Sequence, residues 1–447
     1  MEAAKRFSQL SLAPTPFGKR TREHFSTDKD WHPLNHGSFG TFPKPVKDAL
    51  CYYQDLCEKQ PDSFFRYHLP ELVLRARTAV AKVVNAPRET VVFVSNATTG
   101  INTVLRNLTW TPRDHVIMFS TIYGACGNTV LSIAEQHPLQ VTRIQVNYPQ
   151  SDQVLLDAFE AAVAEIKAKG DNPKLAIFDT IVSLPGVRVP FEALTAACHR
   201  LGVLSCIDGA HGIGMIPLDL SALDPDFFVT NAHKWLMVPR GCCVMYVPVR
   251  NQHLIRTTLP TSHGYQPLDA DEAQTPAALR VGEGQSQFEN NFDFVGTKDA
   301  CPYLCIPEAL AFREQACGGE AAVMRYCSDL ADKGGAKVAE ILGTEVMENA
   351  EGTLNKGLAL VNVRLPLDPA QVDVSLKGGH HAVGVWIIEE QMKRFKTYAP
   401  CLWHADKWWI RLSAQVYLDE SDFEYIGGVM KTLCEEVRAG RHIQASH

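Results

Sequence analysis

Short apolar runs alternate with longer amphipathic stretches through the N-terminal part of the chain. The longer stretches repeat apolar residues at helical spacing, first over 43–56 and then over 69–84. The short runs have strand length and are rich in β-branched residues, at 90–95, 115–119, 141–146, 175–179, 203–207, 227–229 and 242–247. Strands that alternate with helices predict an α/β fold, a mainly parallel sheet flanked by helices.

The pattern changes at Pro307, where a helical tract begins that continues to Leu342. Strand-like runs follow, and then a terminal helix for which Ser421 is the predicted N-cap. We therefore predict three parts: an N-terminal arm and substrate-side segment over 1–45, a large domain over 46–306 and a smaller α+β domain over 307–447.

Composition excludes several classes of protein. The 447 residues suit two domains, and a net charge of −7 without a basic cluster gives no reason to expect a nucleic-acid partner. No apolar run reaches the about 18 residues of a membrane span, so we expect no membrane partner. The thirteen cysteines form no CxxC pair, which indicates buried thiols in a reducing, cytoplasmic setting. His380-His381 lacks neighbours at ligand spacing, and we predict no metal site.

The chemistry is concentrated in His233-Lys234-Trp235, whose lysine follows Asp208 by 26 residues (234 − 208). A lysine amine can bind an aldehyde cofactor covalently, and an aspartate can hold a pyridinium nitrogen protonated. Both residues follow apolar runs that resemble buried strands, and strand ends are where α/β sheets bind ligands. The pair therefore predicts a pyridoxal-phosphate (PLP) site. The alternative is a surface lysine beside a tryptophan and an unrelated aspartate.

A second motif, Asn96-Ala97-Thr98-Thr99-Gly100, links a predicted strand to a predicted helix. Free amides at a helix N-terminus, together with hydroxyl groups, suit a phosphate, although the motif can also be a simple N-cap. It lacks the GxxxxGK[ST] pattern of nucleotide-binding loops. The run 209–214 has the wrong glycine spacing for a dinucleotide fingerprint, which disfavours a Rossmann dehydrogenase.

Several segments together resemble the class V aminotransferase family of PLP enzymes, fold type I. Leu34-Asn35-His36-Gly37-Ser38-Phe39-Gly40 and the run 93–100 are similar to its isopenicillin N epimerase-like branch. A closer resemblance, to the fungal hercynylcysteine sulfoxide lyases of ergothioneine biosynthesis, rests on four further segments: 121–127, 250–256, 261–264 and 411–417. The resemblance covers nearly the whole chain. It implies a large domain with a mainly parallel sheet of the seven-stranded type and a smaller α+β C-terminal domain.

The resemblance also implies a role for each site residue. Lys234 would bind PLP covalently and move the substrate proton, and Asp208 would pair with the ring nitrogen. Arg411 would bind the substrate carboxylate through its bidentate guanidinium, with Asn35 and His36 beside the substrate. The phosphate would be held by Thr98, the amides of Ala97 and Thr99, His233, and Thr297 of a partner subunit.

Four further residues are expected near the cofactor ring. Tyr123 would stack on the ring face, or it is a core tyrosine. His211 stands where a glutamine often follows Asp-Gly-Ala, and it and Ser183 are candidates to contact the O3′ atom of PLP. Cys126, among small neighbours, would serve as an acid towards a leaving sulfur group or accept its sulfur; alternatively it is an inert buried thiol.

The resemblance predicts an enzyme that acts on a small amino-acid substrate as a homodimer. The first hypothesis is a PLP-dependent C–S lyase that cleaves a cysteine-derived sulfoxide, of the hercynylcysteine sulfoxide type, to pyruvate and ammonia. One alternative is a cysteine desulfhydrase or desulfurase, for which Cys401 is a weak candidate nucleophile. Others are an epimerase or cyclase of a secondary pathway and a non-catalytic PLP-binding protein.

Overall fold

A seven-stranded sheet forms the centre of the protein in a computed structural model that describes residues 12–267 and 286–444. The strand order is β1-β7-β6-β5-β4-β2-β3. β7 runs in the opposite direction to the other six strands, so the sheet is mainly parallel, as predicted. The strands are β1 Val91–Val94, β2 Asp114–Phe119, β3 Gln140–Ile144, β4 Asn172–Asp179, β5 Leu204–Asp208, β6 Phe227–Thr230 and β7 Cys243–Tyr246.

Helices cover both faces of this sheet because alternate strand residues point to opposite sides. In β1, Val92 and Val94 pack with Ile101, while Val91 and Phe93 belong to the core on the other face. The longer helices here are Lys44–Lys59, Leu69–Val83, Ala97–Asn107, Gly124–Gln136, Asp152–Ala168, Phe191–Leu201 and Gln287–Asp293. Short helices are Lys19–Arg22, His36–Phe39, Pro61–Ser63, Leu220–Leu223 and Ala232–Trp235, with a π-helix at Phe64–His68 and 3-10 helices at Arg88–Thr90 and Val249–Leu254.

The C-terminal part carries a separate antiparallel sheet in the order β8-β10-β9. Its strands are β8 Leu360–Arg364, β9 Cys401–His404 and β10 Lys407–Ser413. Its helices are Cys301–Leu304, Ile306–Gln315, Glu320–Leu342, His380–Phe395, Glu420–Arg438 and Arg441–Gln444. This is the smaller α+β unit that the sequence predicts; β9 and the helix His380–Phe395 were not predicted.

Two local predictions were wrong in this part. The helical tract after Pro307 is two helices, because Gly318 and Gly319 adopt φ values of 77° and 93° that interrupt it. The terminal helix is capped by Asp419 and not by Ser421: the Asp419 side chain accepts from the Ser421 amide, and Asp422 bonds back to the Asp419 amide.

The described part of the N-terminal arm packs against the C-terminal part. The Gly18 amide donates to the Val416 carbonyl at 2.8 Å, and the Thr15 amide donates to the Ala316 carbonyl at 2.8 Å. Residues 1–11 of the predicted arm and residues 268–285 of the predicted large domain lie outside the described residues. The three-part division stays a prediction. None of the described helices is long and apolar enough to cross a membrane.

Candidate active site

Two neighbouring strands bring Asp208 and Lys234 to the same edge of the large sheet. Asp208 is the last residue of β5, and Lys234 lies on the short helix that follows β6. Because β5 and β6 are paired in parallel, their carboxyl ends meet. Burial and the nearby Arg411 charge together lower the pKa of the Lys234 amine to about 8, and Asp208 opposes this shift. Lys234 is therefore much closer to its neutral, nucleophilic form than an exposed lysine.

The Asp208 carboxylate is fully buried beside a second carboxylate. It accepts a hydrogen bond from the Ala210 amide at 3.0 Å and one from the Cys126 thiol at 3.4 Å. Asp179, at the end of β4, lies opposite it in register. Burial raises the pKa of both carboxyls, and the Asp208 charge raises that of Asp179 further. This pair favours a cationic partner at the strand ends.

His211 connects Lys234 to the buried Trp235. The His211 Nε2 atom is 3.1 Å from the Lys234 Nζ atom, and the Trp235 indole N–H donates to His211 Nδ1 at 3.1 Å. Burial, together with the Lys234 charge, holds the pKa of His211 well below its usual value, so the imidazole is neutral.

The N-terminus of the helix Ala97–Asn107 lies beside this cluster. Its Ala97 amide donates to the Asn231 side chain at 2.9 Å, and its Thr99 amide donates to the Asn96 side chain at 2.8 Å. Both amides that were predicted to hold phosphate are therefore already bonded within the chain. Among the described residues the Thr98 amide finds no acceptor, so it is the amide of this turn that is available to an anion.

Arg411 lies buried on β10, in the small sheet, and reaches the site from the other side. Its guanidinium donates to the Ser183 carbonyl at 2.6 Å, the Asn35 side chain at 2.8 Å and the Ser38 hydroxyl at 3.0 Å. Its Nε atom is buried without a hydrogen-bond partner. Burial lowers the pKa of Arg411 to about 10. All three partners are uncharged, so the cation lacks the carboxylate that a buried guanidinium favours.

Three histidine and tyrosine side chains complete the surroundings. His36 is buried and hydrogen-bonds the Lys234 carbonyl and the Tyr417 hydroxyl, each at 2.8 Å, and so supports the lysine's backbone. His233 donates from Nδ1 to the Cys242 carbonyl at 2.8 Å. Burial lowers the pKa of both histidines to about 4. The Tyr123 ring is 49% exposed at the start of a helix, which places it at a surface and not in the core.

The two cysteines of interest occupy structural positions. The Cys126 thiol is completely buried, and burial with the Asp208 charge raises its pKa. It faces the Asp208 carboxylate, and this placement favours the interpretation as an inert thiol over that as an acid towards sulfur. Cys401 is half-buried in β9, paired in register with Ile410, and burial raises its pKa. A paired strand residue is not the mobile-loop nucleophile that a desulfurase needs.

Thr297 is exposed in the bend after the helix Gln287–Asp293. Other residues at the site were not singled out from the sequence: Ser38, Asp179, Asn231 and the Trp235 indole. Ser38 and Trp235 lie within motifs that were quoted, but only the folded chain shows that their side chains point to Arg411 and His211.

The residues fit PLP, because several of their polar and charged groups lack a partner within the chain. The buried carboxylate pair favours a ring cation, the Lys234 amine with its lowered pKa suits an aldehyde, and the Thr98 amide suits a phosphate. The unpaired Arg411 Nε atom leaves capacity for a substrate carboxylate. PLP and its substrate would supply each of these groups with a chemically complementary partner.

Comparison with known proteins agrees with this fit. The family model Aminotransferase class-V matches residues 53–422. The L-cysteine desulfhydrase-like protein lolT1 of Epichloe uncinata is 41% identical over 94% of this chain and 97% of its own length. The hercynylcysteine sulfoxide lyase of Schizosaccharomyces pombe is 31% identical over 94% and 98%.

Among solved structures, the complex of the cystine C-S lyase C-DES with its reaction product cysteine persulfide has the same fold. The TM-score is 0.70 at 20% identity, and the match covers 90% of this chain and 98% of the other. The predicted family, fold and cofactor are thereby confirmed. The chain belongs to the class V aminotransferase family, and within it to the PLP-dependent enzymes related to C–S lyases and cysteine desulfhydrases.

Proposed function

We propose that this enzyme cleaves the C–S bond of a cysteine-derived sulfoxide by β-elimination. The substrate has a free α-amino and α-carboxyl group and a sulfoxide on Cβ, as in hercynylcysteine sulfoxide. One water is consumed, and the products are a sulfenic acid, pyruvate and ammonia. No external oxidant or reductant is needed, because the electron pair of the broken C–S bond leaves with the sulfur.

Arg411 is the proposed carboxylate anchor. Its partners Asn35 and Ser38 are neutral and hold the guanidinium in place without cancelling its charge. A substrate carboxylate would therefore meet an uncompensated cation in a buried setting, where charged hydrogen bonds are strongest. His36 supports the Lys234 backbone, so that its contribution to substrate binding is indirect.

The cofactor is proposed to lie between Tyr123 and the strand ends. Asp208 would face the ring nitrogen, Thr98 and His233 the phosphate, and His211 with Ser183 the O3′ side. When bound, PLP supplies an electron-withdrawing ring that acidifies the substrate Cα–H bond. The Cys126 thiol would hold the Asp208 carboxylate in place.

Lys234 is the proposed base, and its state is the observation that carries the proposal. A lysine with its pKa lowered to about 8 can accept the α-proton near neutral pH and return it later. The Arg411 charge contributes to that shift, so the base and the carboxylate anchor share one buried cluster. With the carboxylate fixed at Arg411, the proton that Lys234 removes is the one on Cα.

The relatives support sulfur chemistry and leave the substrate open. One is named a hercynylcysteine sulfoxide lyase and another an L-cysteine desulfhydrase-like protein. A cysteine desulfhydrase uses the same residues on a smaller substrate, and an epimerase or cyclase uses the same proton removal without sulfur loss. The isopenicillin N epimerase of Amycolatopsis lactamdurans, 28% identical, keeps that alternative open.

A substrate panel tests the proposal. Purified holoenzyme is given cysteine, S-alkylcysteine sulfoxides and hercynylcysteine sulfoxide, and pyruvate release is followed beside deuterium uptake at Cα. We expect the highest kcat/KM for a sulfoxide and loss of both signals in Lys234→Ala. Pyruvate from cysteine alone would support a desulfhydrase instead. Deuterium uptake without pyruvate from any compound would support an epimerase or cyclase.

We further propose a cytoplasmic homodimer in which Thr297 reaches the phosphate of the neighbouring subunit. Thr297 is exposed on its own chain, in keeping with a role at a partner's site. All thirteen cysteines are free thiols, which suits a reducing compartment.

A further inference from the structure

Two consecutive hydrogen-bond contacts connect the Trp235 indole, through His211, to the Lys234 amine. The Trp235 indole lies 3.1 Å from His211 Nδ1, and His211 Nε2 lies 3.1 Å from Lys234 Nζ. Trp235 and His211 are both buried, so the contact between them is shielded from solvent.

The positions of the protons in these two contacts follow from the donor and acceptor capacity of each group. An indole nitrogen only donates, so His211 Nδ1 must be the accepting, unprotonated nitrogen. A neutral imidazole carries one proton, which is then on Nε2. Nε2 therefore donates to Lys234 Nζ, and only a neutral amine has a lone pair to accept. Both contacts are satisfied together only when Lys234 is a free base.

The surroundings act in the same direction. The cationic groups that face His211 are Arg411 and, whenever it is protonated, Lys234, and His36 beside them is neutral. A second proton on His211 would be repelled by the Arg411 cation, and on Nδ1 it would point at the indole N–H of Trp235. Protonated His211 would have to break the contact with Trp235.

We propose that Trp235 is a positioning residue that locks His211 as the Nε2–H tautomer, so that His211 holds the released Lys234 amine as a free base. The proposal rests on the proposed function only in taking Lys234 as the base. His211 is then a fixed donor and takes no proton during the reaction. A glutamine at this position would need no such lock, because its amide always presents a donor; a histidine does need one.

The tautomer can be read directly. Protein labelled with 15N in its histidine rings is studied by NMR as holoenzyme saturated with an amino acid that has no leaving group on Cβ, which releases the Lys234 amine, and His211 is assigned by its absence in His211→Gln. We expect protonated Nε2 and unprotonated Nδ1 throughout about pH 5 to about pH 8, the range where free histidine titrates. An Nδ1–H tautomer or an imidazolium in this range would overturn the proposal, whatever the substrate is.

Variants then test the part played by Trp235. Trp235→Phe keeps an aromatic ring and removes only the indole donor, and Trp408→Phe is the matched control because its indole donates to the His380 carbonyl, away from the site. In Trp235→Phe we expect a mixture of His211 tautomers and a kcat lowered by about threefold to tenfold with KM unchanged, the effect of losing one neutral hydrogen bond. Trp408→Phe should keep both the tautomer and kcat.

A double variant separates positioning from packing. In the His211→Gln background, Trp235→Phe should lower kcat no further, since there is no tautomer left to lock. An equal loss in both backgrounds would show that Trp235 acts by packing and would overturn the proposal. An unchanged tautomer and kcat in the single Trp235→Phe variant would overturn it as well.

Discussion

Two arginines of the small sheet show how residues of one type are separated by their surroundings. Arg411 on β10 is buried with neutral partners, whereas Arg364 on the neighbouring β8 pairs with Glu345 near the surface. A charge that is already neutralised has little left for a ligand, and a buried charge with neutral partners favours an anion. Gly186 makes room for this arrangement: a Cβ atom there would lie 2.9 Å from the Arg411 side chain.

The first residue-scale prediction concerns Arg411→Lys. An ammonium cannot form the two parallel hydrogen bonds of a guanidinium, so the substrate carboxylate should lose about 1.5–3 kcal/mol of binding. We expect KM to rise about tenfold or more in steady-state assays while the cofactor's visible absorbance is retained. Arg364→Lys is the matched control and should leave KM unchanged. An unaltered KM in Arg411→Lys would place the carboxylate elsewhere.

The second residue-scale prediction concerns Cys126→Ala, which removes the thiol donor to Asp208 and changes neither Lys234 nor Arg411. Because the thiol supports the group proposed to face the ring nitrogen, pyruvate release and Cα deuterium uptake should fall together, by about threefold to tenfold. The two rates would be measured in one reaction mixture. A selective loss of pyruvate release would instead identify the thiol as an acid towards the leaving sulfur.

At the scale of elements, close helix packing holds the small sheet that carries Arg411. The helices Glu320–Leu342 and Glu420–Arg438 meet at Gly334, where a Cβ atom would lie 2.2 Å from the Phe423 ring. At the next residue, Gly335, a Cβ atom would lie 2.5 Å from the Val361 side chain of β8. The Gly334-Gly335 pair is therefore explained by contact distance and does not interrupt the helix.

We accordingly predict that Gly334→Ala lowers the free energy of unfolding by about 1–3 kcal/mol, because a methyl group must force Phe423 aside. Gly428→Ala is the control: it lies in the same helix as Phe423 and a Cβ atom there meets nothing within 4 Å. That change should raise stability by about 0.5–1 kcal/mol through helix propensity. Denaturant titration compares them, and equal effects would rule out the contact as the cause.

At the scale of the whole molecule, the site joins three regions that are distant along the chain. Asp208 and Lys234 come from the large sheet, Arg411 from the small sheet, and Asn35 from the N-terminal segment. A shift of the small sheet against the large one would separate the base from the carboxylate anchor. The proposed second subunit would add a fourth contribution through Thr297.

We therefore predict that Thr297→Ala leaves the dimer intact in sedimentation experiments but weakens the binding of PLP. One lost hydrogen bond to the phosphate should raise the dissociation constant of PLP by about threefold to tenfold, measured by titration of the apoenzyme. Thr432→Ala, which removes another exposed threonine hydroxyl, is the control. A monomer with full PLP affinity would contradict both the dimer and the role of Thr297.

The sequence by itself determined the class of fold, the order of the strands along the chain and the cofactor. Strand-length apolar runs separated by helical periodicity depend on local patterning, which is visible without the fold. The candidate site residues Lys234, Asp208 and Arg411 were likewise predicted from motif and resemblance, because the expected chemistry requires those side-chain types. Their roles remain predictions that the variants above address.

Only the tertiary structure decided which groups touch. The Ala97 amide donates a hydrogen bond to Asn231, the Cys126 thiol donates to Asp208, and the Trp235 indole donates to His211. It also decided the charge states, since the low pKa of Lys234 comes from burial and from Arg411, which is far away in sequence. The physical reason is the same in each case: hydrogen bonding and desolvation depend on neighbours in space, and a linear pattern records only neighbours along the chain.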